Sequence, residues 1–140
     1  TLSGVPMTKR IELPVAEDMQ MGMSIGLAMT GKKVISIFPR MDFLMCAMNQ
    51  LVNHLDNGRL RLLGSVIIRT CVGSTKPLYP GSQHCGDYGE GLKNMLRSVK
   101  IMELATPSSI QSAYVAAYQQ RASLVIEYGD KYGMAADDKV

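Results

Sequence analysis

The chain has 140 residues, of which 46% are hydrophobic and 19% charged, the proportions of one globular domain long enough to bury a core. Its net charge of +3 is mild, and Lys and Arg are scattered along the sequence without a basic stripe, so the sequence does not point to nucleic acid. No apolar run approaches the roughly 20 residues that span a bilayer. The three cysteines, Cys46, Cys71 and Cys85, form no C-x-x-C and read as reduced thiols of a cytoplasmic protein rather than as disulfides or zinc ligands.

Taken in order, the chain alternates helical and extended patterns. Arg10–Leu13 is a short extended lead-in, and residues 14–31, PVAEDMQMGMSIGLAMTG, read as one helix. Pro14 stands outside it, Glu17 and Asp18 sit in the first turn where the helix dipole favours carboxylates, and Gly31 ends it. Met19, Met23, Leu27 and Thr30 share a face, and Gly22 and Gly26 share a neighbouring one. Each glycine costs about 1 kcal/mol relative to alanine in a helix interior, so the pair implies a close approach by another backbone.

Lys33–Phe38 is a β-branched run stopped by Pro39 and reads as a strand. Asp42 is the expected N-cap of a second helix, packed through Leu44, Met48, Leu51 and Leu55 with Ala47 and Val52; its amide-rich face of Asn49, Gln50, Asn53 and His54 reads as a contact surface. Asn57-Gly58 marks a turn, Ser65–Thr70 a buried strand, and Cys71–His84, with Gly73, Pro77, Pro80 and Gly81, a long loop. The chain is helical again near Leu92–Leu96 and extended at Val99–Glu103. Thr106 then caps a helix with Pro107 at its first position and Ile110, Ala113, Tyr114, Ala117 and Tyr118 as its packed face. Ser123–Tyr128 is the last strand. Strands separated by helices of this length predict a single three-layer α/β/α domain with a mostly parallel sheet.

The spacing of Glu17, Gly22, apolar Met23 and Gly26 resembles the E-x4-G-apolar-x-x-G signature of the pyrimidine-binding domain of thiamine diphosphate enzymes. Residues 10–54 as a whole resemble the transketolase-like β subunit of the E1 component of 2-oxoacid dehydrogenases. The carboxylate, the glycines, the Asp42-Phe43 pair and the Gln50-x-x-Asn53 helix follow the family's order without a gap, and a weaker likeness continues to about Tyr128. The family's N-terminal helix and strand before Arg10 and its C-terminal domain after Tyr128 have no counterpart in the chain.

The resemblance implies that Glu17 hydrogen-bonds N1′ of the cofactor's aminopyrimidine and so promotes loss of the thiazolium C2 proton. That work needs a carboxyl group in apolar surroundings, which Met19, Met21 and Phe43 could provide. It also assigns cofactor binding to Glu17, Met41 and Phe43, with the Phe43 ring against the pyrimidine. His84, in QHCG, stands at a family histidine that donates a proton to substrate. The serine that follows in the family is Cys85 here, and the family's second histidine has no counterpart near Asn94. From the residues alone, Glu17 could equally complement the helix dipole and Phe43 be an ordinary core residue.

Binding the diphosphate takes Mg²⁺ on a Gly-Asp-Gly motif in this family, and Gly86-Asp87-Tyr88 and Gly129-Asp130-Lys131 both depart from it. The metal and phosphate contacts are therefore expected from a diphosphate-binding, E1α-like partner, in a homodimer or heterotetramer that uses the Gly22 and Gly26 face. The alternatives are a non-catalytic remnant or fragment acting as an interaction subunit, and an unrelated flavodoxin-like binding module.

Overall fold

The computed structural model describes residues 2–76 and 78–135; Pro77 of the predicted loop lies outside the described residues, as do Thr1 and residues 136–140. The elements are α1 (Glu17–Met29), β1 (Lys33–Phe38), α2 (Met41–Leu44), β2 (Ser65–Val72), α3 (Gly89–Met95), β3 (Lys100–Glu103), α4 (Ile110–Tyr118) and β4 (Ala122–Tyr128). Beyond α2 the backbone stays helical, tightening through a 3-10 turn (Met45–Ala47) and then widening into a π-helical segment (Asn49–Asp56). No strand forms at Arg10–Leu13, and β2 runs two residues past Thr70.

The four strands form one parallel sheet in the order β1-β2-β4-β3. β1 to β2 and β2 to β3 advance across the sheet through helices on one face. β3 to β4 steps back through α4 on the other face, as right-handed crossovers require when the direction of travel reverses. The result is a three-layer α/β/α domain. The larger core joins Met21, Ile25 and Ala28 of α1, Leu44, Ala47, Leu51 and Leu55, and Leu92 to Val66, Ile68, Leu124 and Ile126 of the sheet. Ile67, Leu104, Ala117 and Val125 form the smaller core beneath α4.

Two helices pack differently from their sequence pattern. In α1 the buried residues are Met21, Ser24, Ile25 and Ala28, and the Met19 and Met23 stripe lies exposed. This helix is apolar nearly all round, so spacing alone does not single out the inner face. In α4 only Ala117 is fully buried, while Ile110 and Tyr118 are each 45% exposed. On the same sheet face Ile35 of the edge strand β1 is 49% exposed.

Two side chains stitch the layers together. Gln20 donates from Nε2 to Ser36 Oγ (3.0 Å) and to the Ile37 carbonyl (2.9 Å), which fastens α1 onto the outer edge of β1. Asp56, 5% exposed, accepts the backbone N–H groups of Arg97, Ser98 and Val99 at 2.7–3.0 Å, tying the end of the π-helical segment to the start of β3. Burial alone would raise its pKa, but the backbone bonds from Val99, Arg97 and Ser98 and the Arg97 charge outweigh it and hold the carboxyl below its ordinary value.

Candidate functional site

Parallel strands present their carboxyl ends along one edge, and α/β sheets hold ligands in the crevices there. β1 reaches that edge at Phe38 and β2 at Val72. Because α1 runs antiparallel to β1, its N-terminus returns to the same edge, with Gln20 against Ser36 and Ile37. Glu17, the first residue of α1, is half-buried, and its carboxylate makes no hydrogen bond or ion pair with any described residue. Its neighbour Asp18 instead accepts a bond from Gln50 Nε2 at 3.2 Å. A carboxylate left without an internal partner in the first turn of a 13-residue helix keeps its acceptor capacity for something outside the chain.

The first turn of α2 grips the loop that follows β2. The Tyr88 N–H donates to Met41 Sδ (3.0 Å), and the Gly86 N–H and Tyr88 O–H donate to the Asp42 carboxylate (3.3 and 3.4 Å). The Phe43 and His84 rings lie 5.5 Å apart between centroids at a tilt of 60°, an aromatic contact within the favourable range. Two glycines make this packing possible: a Cβ on Gly73 would fall 1.8 Å from the His84 carbonyl oxygen, and one on Gly86 would fall 2.6 Å from both Asp42 Oδ1 and the Tyr88 ring. Farther along, the Asp130 carboxylate accepts the Thr75 and Lys76 N–H groups at 2.7 and 3.2 Å, fixing the loop's first half.

Within this clamp His84 is half-buried, and its Nδ1 is buried without a hydrogen-bond partner among the described residues. Thr70 Oγ1, two residues before the end of β2 on the same sheet face, is likewise buried and without a partner among the described residues. Buried polar atoms are satisfied almost everywhere in folded proteins, so two orphans at one sheet edge mark a place where a ligand's groups could bond.

The structure thus brings Glu17, Phe43 and His84 to one edge and one face of the sheet, and it corrects three expectations. Met41 is wholly buried with its sulfur engaged, so it supports the loop from beneath rather than offering a surface to a ligand. Gly22 faces the Gln50 side chain of this same chain rather than open space, since a Cβ there would fall 3.7 Å from it, whereas Gly26 has open space around it. Asp42 does not cap α2: the cap position is Arg40, and Asp42, two residues on in the first turn, bonds the loop. The roles of Asp42 and Tyr88 were missed because their partners lie far along the chain, and Thr70 because an unsatisfied hydroxyl in a strand leaves no mark in the sequence. Among the described residues, no group of three or more His, Cys, Asp or Glu side chains is arranged to hold a metal ion, and all three cysteines are free.

Two surface cavities lie farther along the same edge, at the end of β4. One, of about 190 Å³, is lined by Val72, Gly73 and Tyr128–Lys131; the other, of about 110 Å³, lies between Leu104, Thr106, Pro107, Ile110 and Glu127. Beside the second, on the α4 face, Arg69 forks onto Glu127 (2.8 and 2.5 Å), which also accepts the hydroxyls of Tyr132 (2.6 Å) and Tyr114 (3.1 Å). Burial would raise the Glu127 pKa, but Arg69 and the two phenols outweigh it and hold it low; burial and Glu127 push the Tyr114 phenol up to about 12. Both Glu127 oxygens are fully engaged, so this cluster reads as a structural brace.

No protein-family model and no curated protein matches the sequence.

Proposed function

We propose that this chain is the pyrimidine-binding half of a thiamine diphosphate-dependent enzyme, E1β-like or transketolase-like, that works against a diphosphate-binding, E1α-like partner. The observation that carries the proposal is Glu17, a half-buried carboxylate with no internal partner at the start of α1, on the edge where Phe43 and the unpartnered His84 Nδ1 also stand. These residues fit the pyrimidine end of the cofactor: a carboxylate for N1′, an aromatic ring for the heterocycle and an imidazole for a substrate oxygen. They do not fit its diphosphate end, which falls to the partner along with Mg²⁺.

When bound, the cofactor supplies the carbon nucleophile by giving up its thiazolium C2 proton. Glu17 would orient the ring and hold a proton at N1′. Phe43 would limit water on the ring's apolar side. His84, steadied by Phe43 and by the Asp42–Gly86 contact, would carry a proton to or from substrate. The open stripe of Met19, Met23 and Gly26 on α1 suits the partner interface, in a homodimer or heterotetramer.

A second reading, a non-catalytic interaction subunit of the same fold, draws on Cys85 in place of the expected serine and on the absence of a second histidine near Asn94. Titration of ¹⁵N-labelled protein with thiamine diphosphate and Mg²⁺, followed by amide shifts, tests the first reading. Weak binding is expected, because the pyrimidine contacts alone barely offset the cost of immobilising a ligand. The shifts should be confined to residues 17–22, 42–44 and 82–88. Their absence there, or a response centred on the β4 cavities, would overturn the assignment.

A further inference from the structure

The opposite edge of the sheet carries a feature that the linear sequence conceals. All four strands begin there, and the chain enters them through residues 30–33, 56–64, 97–100 and 119–121. Those four stretches bring Lys32, Lys33, Arg59, Arg61, Arg97, Lys100 and Arg121 to one edge, against a single carboxylate, Asp56, already spent on backbone N–H groups. The convergence is direct. Gly64 is pressed so closely on Lys32 that a Cβ would fall 1.9 Å from its carbonyl oxygen, and a Cβ on Gly58 would fall 3.7 Å from Ser98 Oγ. Arg121 donates to the carbonyls of Leu55 and Leu60.

None of the seven forms an ion pair among the described residues; Lys33 rests on the Tyr118 ring and its carbonyl. Nearly half of the chain's 15 cations thus stand on one edge outside any ion pair among the described residues, with Asp56, beside Arg97, as the carboxylate of those four stretches. Across three strand spacings this edge is about 14 Å wide. Between the cations lie apolar side chains: Leu63 is 64% exposed and Met95 and Met29 more than 40%.

We infer that the amino-terminal edge of the sheet is a docking surface for an acidic, amphipathic segment of a partner protein. Four of the seven cations are arginines, whose planar forks match carboxylates in pairs, and arginine with methionine is the pairing enriched in protein interfaces. A nucleic acid would meet the charges but leave Leu63 and Met95 uncovered, and the one aromatic nearby, Tyr118, has its ring taken by Lys33. The surface lies at the end of the domain remote from Glu17 and is independent of the cofactor reading.

The test uses the intact chain and a fluorescein-labelled amphipathic peptide of Glu and Leu, with polyglutamate, single-stranded DNA and phosphatidylserine-containing vesicles as comparison probes. The amphipathic peptide should bind best, weaken about tenfold between about 50 and 300 mM salt, and lose at least about tenfold in affinity in the triple variant Arg59→Gln, Arg61→Gln, Arg97→Gln. None of these side chains makes a hydrogen bond or ion pair with a described residue, and only Arg97 acts on a carboxylate, Asp56, through its charge, so the variant should melt within a few degrees of wild type; a control Lys9→Gln, Lys76→Gln protein should bind normally. Equal peptide binding by wild type and triple variant overturns the proposal, as does tighter binding of DNA or vesicles than of the peptide.

Discussion

Removing the Asp56 carboxylate should loosen the whole β3 side of the sheet. In Asp56→Ala three backbone N–H groups lose their acceptor at once. Those of Arg97 and Ser98 lie near the surface, where water can replace it, whereas Val99 is only 4% exposed. At about 1–3 kcal/mol per stranded group, with the surface amides at the low end, the loss should be about 3–4 kcal/mol. For a domain of this size that corresponds to a fall in Tm of roughly 10 °C. Asp56→Asn keeps one carbonyl acceptor but no charge and should lose about 2 kcal/mol. The pH dependence gives a second signature. The folded carboxyl titrates below its ordinary value of 3.8, so the unfolded chain takes up the proton first as pH falls. The stabilisation is therefore complete above the unfolded value and is lost as pH drops through the folded one. Urea unfolding followed by circular dichroism should show a gap between wild type and Asp56→Asn that is constant near neutrality and closes below about pH 4. A gap under about 1 kcal/mol, or one that does not narrow in acid, would refute the reasoning.

In a complex reconstituted with a diphosphate-binding partner, Glu17→Gln should leave cofactor affinity nearly unchanged while slowing C2 deuterium exchange by about 10²–10⁴. Asp18→Asn, which loses only the Gln50 contact, should exchange like wild type; equal rates in all three would reduce Glu17 to a helix-end charge. Gly26→Ala, in open space within a helix, should raise stability by about 1 kcal/mol in thermal melts. Gly22→Leu must instead displace Gln50 and should cost about 1–2 kcal/mol. Gly73→Ala drives a methyl group into the His84 carbonyl, so it should shift the loop and abolish the ring-current signature of the Phe43–His84 contact in NMR spectra.

The strands were legible because their residues are: Lys33–Phe38, Val66–Ile68 and Leu124–Ile126 are β-branched or aliphatic runs bounded by breakers, and a run buried on both faces needs no partner to be recognised. The packing of Leu44, Leu51 and Leu55 was legible for a similar reason, since polar residues fill the opposite face. α1 was not, because Met, Ile, Leu and Ala surround it and its inner face is chosen by the sheet beneath rather than by its own periodicity. The candidate site was half legible. Glu17, Phe43 and His84 sit in a recognisable order, but the contacts that hold them depend on Asp42 reaching Gly86 and Tyr88, and on Gly73 reaching His84, and such long-range closures leave no local trace. The basic edge was invisible for a simpler reason: its charges arrive two or so at a time from four separate stretches.

The Gln20 amide on β1 has a consequence for how the chain behaves in a crowd. β1 is an edge strand of six residues, KVISIF, apolar apart from Lys33 and Ser36, and such a segment is a template for strand-by-strand growth between molecules. Lys32 turns its carbonyl inward to the Ser65 N–H, so the alternation leaves Lys33, Ile35 and Ile37 with their backbone groups facing outward. Gln20 occupies the last of these carbonyls, while Lys33 puts a charge at the row's beginning. A neighbouring strand would have to dislodge a side-chain amide at one end and bury an ammonium at the other. Loss of the glutamine amide should therefore lower the concentration at which the folded chain stays dispersed, a change that light scattering would detect and a melting curve would not.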